Sequence, residues 1–141
     1  MTAYRGARFI VAVLVTAFAA SGCSTGPTYE ILEVPDGPTV MIAPPRDPEE
    51  MSQEALLEGA LSVGSTGCLG VQASDIGFVP VIFPTGTTVF KDEPLTFTVA
   101  DEQYTLGDAI AIGGGFTETK PLIEANAYPE KCAAVEVFSA S

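Results

Sequence analysis

The sequence predicts an all-β fold: a small barrel-like domain of about seven short strands, with a sandwich as the alternative. Three observations lead there. Leu57, Gly59, Leu61 and Val63 alternate with Glu58, Ala60 and Ser62, the period-two pattern of a half-buried strand. Turn residues then punctuate the chain at Gly64-Ser65-Thr66-Gly67, Pro84-Thr85-Gly86, Lys91-Asp92-Glu93-Pro94 and Asp101-Glu102. Seven or so strands in roughly 85 residues leave little chain for two separate sheets, and closure of one sheet removes its exposed edges.

Ahead of that domain, Arg5 and Arg8 precede an apolar run over residues 9–20 that is interrupted only by Thr16. A helix of that length rises about 18 Å against a hydrocarbon core about 30 Å thick, so the run reads as part of a signal peptide and not as a span. It ends in Ala20-Ser21-Gly22-Cys23, which resembles the lipobox of bacterial lipoproteins, with Ala20 where Leu is more usual. The resemblance implies that residues 1–22 are a signal peptide, cut between Gly22 and Cys23. It also implies that the Cys23 thiol takes a diacylglyceryl group and that the new N-terminus is open to acylation. The implied location is the cell envelope, lipid-anchored on the non-cytoplasmic side of a membrane. Each buried methylene contributes about 0.8 kcal/mol, so two or more acyl chains hold durably where one holds reversibly. The other reading of this stretch is an ordinary secretory signal cut at a site such as Ala17 to Ala19.

Residues 23–50 read as the lipidated N-terminus and a flexible tether. Six of the eleven prolines fall here, at Pro27, Pro35, Pro38, Pro44, Pro45 and Pro48. Proline at that density favours an extended chain at about 3.1 Å per residue and a reach of about 80 Å. Within the tether, residues 39–43 form an apolar patch able to pair as an edge strand or to lie against the domain. Asp47-Pro48-Glu49-Glu50 then reads as a helix start: Asp47 suits the N-cap, Pro48 the first turn, and the acids the positive end of the helix dipole. Two or three turns end before Gly59, and the folded domain on this reading spans 51–141.

Strands are expected at 57–63, 68–72, 79–83, 87–90, 95–100, 103–106, 109–113 and 133–138, with Phe78, Phe83, Phe90, Phe97, Phe116, Tyr104 and Tyr128 supplying core bulk. Gly59-x-Leu61-x-Val63, Gly67-Cys68-Leu69-Gly70-Val71, Phe83-Pro84-Thr85-Gly86-Thr87, Leu106-Gly107-Asp108, Gly113-Gly114-Gly115 and a late Cys resemble a pattern in small exported bacterial proteins of unassigned function. That resemblance implies no activity at any residue.

With Cys23 acylated, Cys68 and Cys132 are the two thiols left, and an exported compartment permits their oxidation. Their bond closes a loop of about 65 residues, worth about 4 kcal/mol by chain entropy, to a domain too small to bury much surface. The alternative is two buried, reduced cysteines that never meet.

The chain of 141 residues carries 18 acidic and 6 basic side chains, a net charge of −12, with no His and no Trp. Loss of residues 1–22 removes Arg5 and Arg8 and leaves −14. Such a charge repels a polyanion, which excludes nucleic-acid binding by phosphate neutralisation. The lack of His excludes Ser-His-Asp and Cys-His catalysis and His-ligated zinc. Gly113-Gly114-Gly115 offers backbone amides to an anion but opens no helix, so it reads as a bulge or loop, and Gly107-Asp108 as a tight turn. Asp47, Glu49, Glu50, Asp92-Glu93 and Asp101-Glu102 lack the ligand spacing of a calcium loop and read as solvated turns. No catalytic residue, cofactor or metal ligand is therefore expected. The sequence points to a tethered, non-enzymatic binding module whose acidic surface suits a basic protein patch or divalent cations. A small carboxylate-based hydrolase or sugar-processing enzyme and a structural accessory of an envelope complex are the alternatives.

Overall fold

A computed structural model of the chain describes residues 28–47, 49, 54–91, 93–134 and 136–141. The signal sequence, Gly22 and Cys23 lie outside the described residues, as do Pro48 and residues 50–53 of the expected helix.

Period-two alternation builds a barrel. In β3 (Ala55–Val63), Leu57 and Leu61 are buried while Leu56 and Glu58 face solvent. β3 pairs antiparallel with β4 (Leu69–Ala73) on one edge and with β9 (Ala109–Glu118) on the other. β9 continues antiparallel to β10 (Glu136–Ala140), which runs parallel to β5 (Gly77–Phe83), and β5 returns to β4. The five strands β5-β10-β9-β3-β4 thus close on themselves. Leu61, Leu69, Val71, Val81, Phe83, Ile110 and Phe138 fill the interior. Each such side chain contributes about 1.5–3 kcal/mol on burial.

So narrow a barrel brings backbones together, and the glycines mark where. A Cβ on Gly70 would collide with the Val79 carbonyl oxygen, and one on Gly114, at φ 156°, with that of Ser139. Gly113-Gly114-Gly115 is therefore neither bulge nor loop. It is the stretch of β9 that passes from β3 to β10, with Gly114 opposite both Ala55 and Ala140.

β1 (Glu30–Glu33) and β2 (Thr39–Ile42) form an antiparallel hairpin. β2 runs parallel to β5 through Met41–Ile82 and Ile42–Phe83 and bridges to Cys68 through Thr39, so it wedges in where β4 and β5 separate. All four of its residues are buried. This corrects the tether over residues 23–50 and the domain start at 51: the fold includes residues 30–43. The prolines misled because they flank the apolar patch: Pro35 and Pro38 bound the hairpin turn, and Pro44 and Pro45 follow β2. The expected helix is corrected as well, since residues 55–59 are strand and pair with β9.

β6 (Thr88–Phe90), β7 (Thr96–Val99) and β8 (Glu102–Thr105) form a separate antiparallel meander. Its Phe97 and Val99 join the barrel core, against which Leu32, Val89, Leu95 and Tyr104 also pack. Between β9 and β10 lie a short helix α1 (Lys120–Glu124), with Pro121 in its first turn, and a 3-10 turn at Glu130–Cys132. Leu122, Ile123, Tyr128 and Cys132 cover the outward side chains Met41, Ile82 and Val137, building a second apolar layer outside the barrel wall.

Candidate functional site

Cys68 stands between the turn at 64–67 and β4, and Cys132 ends the 3-10 turn. The two are joined as a disulfide, with Cα atoms 5.6 Å apart and both residues buried. Nearby, the Thr66 hydroxyl donates to Cys68 Sγ at 3.7 Å and the Tyr128 hydroxyl to the Cys132 carbonyl at 3.0 Å. Burial pushes the Tyr128 phenol up from 10.0 to about 12. This bond and its surroundings fasten the segment between β9 and β10 to the outside of the barrel. The cysteines are enclosed by apolar side chains, so the site is built for anchorage of the chain.

The acidic positions are dispersed. Asp47 Oδ1 accepts from the Glu49 amide at 3.1 Å, and Asp108 Oδ2 accepts from the Thr105 amide at 2.8 Å and its hydroxyl at 3.1 Å. Asp108 thus braces the turn that carries the chain from the meander into β9. Glu102 accepts the Tyr104 hydroxyl at 2.6 Å, and that hydrogen bond, with burial and charge behind it, raises the Tyr104 phenol above 10.0. Among the described residues no three Cys, Asp or Glu side chains converge as a metal ion requires. Glu50 and Asp92 lie outside them.

Clefts open on the surface formed by the described residues. One of about 610 Å³ lies between the hairpin turn at Val34, Pro35 and Asp36 and the segment Lys91, Glu93, Pro94 and Leu95. Gly37 donates to the Val34 carbonyl at 2.9 Å, closing a turn with Pro35 second and Asp36, at φ 56°, third. Asp tolerates that left-handed position better than most residues, and its carboxylate is left at the cleft. A second cleft of about 490 Å³ runs along Glu58, Gly59, Ser74, Ala109, Ile110 and Ala111 on the barrel wall. Another, about 180 Å³, is lined by Ala43, Pro44, Arg46, Pro84, Thr85, Ala140 and Ser141.

The aromatic expectation needs correction in part. Phe83, Phe97 and Tyr128 are buried, but Phe90 and Phe116 are 48% and 43% exposed. Phe116 packs edge-on against Phe138 with ring centroids 5.3 Å apart and leaves its outer face to solvent. Leu56 and Ile76, more exposed still, were absent from the sequence-based candidates. Only strand register could have flagged Leu56, which sits at an outward position of β3. Compared with models of protein families, with curated proteins and with solved structures, the chain matches none.

Proposed function

We propose that the protein is a lipid-anchored binding module of the cell envelope, held through an acylated Cys23 and acting by its outer surface without catalysis. The observation that carries this reading is the filled barrel. Phe83, Phe97, Phe138, Leu61 and Leu69 are each under 2% exposed or at that limit and occupy the space in which a barrel would otherwise hold a ligand. Recognition then falls to the outside, where acids dominate. Of the four cations of the mature chain, Lys120 stands 4.0 Å from Glu124 and Lys131 3.0 Å from Glu33, so two are matched by the chain's own carboxylates. The surplus negative charge fits a basic protein patch or divalent cations.

Two experiments test the proposal together. Cys23→Ala should move the protein from the membrane to the soluble envelope fraction; unchanged retention removes the anchor. In-cell crosslinking of the wild-type protein should capture a reproducible basic neighbour whose yield falls as salt rises. A salt-indifferent stoichiometric complex would instead favour a structural accessory.

A further inference from the structure

The fold begins almost at its anchor. Tyr29 packs on the outer apolar layer with Met41 and Ile82, and Glu30 is already paired with Ile42. If Cys23 bears the lipid, as proposed above, only residues 24–28 separate the acylated residue from the packed Tyr29. That length of chain spans at most about 22 Å whatever its conformation. A domain of this size is itself roughly 35 Å across.

The exit point also has a definite place on the barrel. Glu30 lies beside Ile42, and Ile42 beside Phe83, so the chain enters at the C-terminal end of β5. The cleft at that end is formed by Ala43, Pro84, Thr85 and Ser141. Ile76 precedes β5, at its other end, about 20 Å away along the strand. Ile76 is 57% exposed.

We infer that the barrel is held close over the lipid headgroups, within the connection's reach of about 22 Å, with the end carrying Pro84 and Ser141 toward the bilayer and the end carrying Ile76 turned outward. The inference rests on acylation of Cys23. The short connection does the seating, not adhesion, because a domain of net charge −14 is repelled by anionic lipid. Its partner must therefore come within roughly 60 Å of the same membrane, a distance set by connection plus domain. A long tether would have let it reach further.

The chain has no Trp, so one introduced Trp reports a single place. Ser141→Trp and Ile76→Trp, both at exposed positions, are made in the full acylated chain and reconstituted in phosphatidylethanolamine and phosphatidylglycerol vesicles containing headgroup spin-labelled lipid. Ser141→Trp should be quenched about twofold or more beyond Ile76→Trp, given the separation of about 20 Å. Inserting a Gly/Ser spacer of about fifteen residues after Thr25 should abolish the difference by lengthening the connection. Equal quenching, or vesicle-bound protein with neither probe quenched, overturns the seating while leaving the anchor intact. Protein that fails to float with the vesicles and lacks acyl mass on Cys23 overturns both. An intact disulfide and an unchanged thermal transition show that each variant is folded.

Discussion

The barrel interior and the layer outside it are both apolar, yet they are secured by different means. Inside, side chains from every barrel strand and from the meander share one cluster, and a closed ring of backbone hydrogen bonds surrounds it. Outside, a five-residue helix and a 3-10 turn lie on three strands, fastened by one covalent bond and a few contacts. The inner region is held by many contacts from every strand; the outer one by a disulfide with few contacts beside it. A small domain can thus carry a segment that would not stay folded by burial alone, provided its ends are fixed by strands and its middle by a disulfide.

That contrast can be broken from either side. Phe83→Ala opens a cavity in the shared interior and should cost about 3–5 kcal/mol, lowering the denaturation midpoint of the whole molecule. Hydrogen exchange should then accelerate everywhere together. Replacing Cys68 and Cys132 jointly by Ala should cost about 2–4 kcal/mol. Here exchange should rise first at residues 119–134 while β3, β4 and β9 keep their protection; uniform acceleration would show that the two regions are one unit. Tyr128→Phe removes the donor to the Cys132 carbonyl and should cost about 1 kcal/mol, confined to the outer layer.

The same tyrosine gives a pH signature. Its folded-state pKa is raised to about 12, so the fold favours the neutral phenol, and that contribution is complete below pH 10. It is lost as pH rises from 10 to 12. Urea midpoints across this window should fall for the wild type and more gently for Tyr128→Phe. The smallest effect belongs to the meander, whose β7–β8 turn holds Ala100 at φ 47° and Asp101 at φ 66°. Both are left-handed positions that Asn and Gly occupy at less cost, so Ala100→Asn with Asp101→Gly should stabilise by about 0.5–1 kcal/mol. A thermal melt reads the gain.

The barrel was largely legible because alternation maps directly onto wall geometry. Leu57 and Leu61 on β3 follow the period-two rule, and on β5 Val79, Val81 and Phe83 face the interior while Ile82, buried too, faces the outer layer. β2 hid for a compositional reason: its four buried residues lie between prolines, which mark turns at its ends but suggest an extended tether when counted over the whole stretch. Gly113-Gly114-Gly115 hid because glycine serves loops and close-packed strands alike, and only the approach of the Ser139 carbonyl distinguishes the two. Residues 120–124 carry no helical period over so short a length, so α1 had no sequence signal beyond Pro121. Of the site residues, Cys68 and Cys132 were legible as a pair because few thiols were available. The cleft at Asp36 needed the meeting of two turns far apart in the chain.

Intact mass spectrometry of the chain extracted from membranes tests the account most directly. It predicts a polypeptide beginning at Cys23, heavier by a diacylglyceryl group, in which Cys68 and Cys132 resist alkylation until reduced. A chain that still carries residues 1–22, recovered from the cytosol with both thiols free, would contradict it.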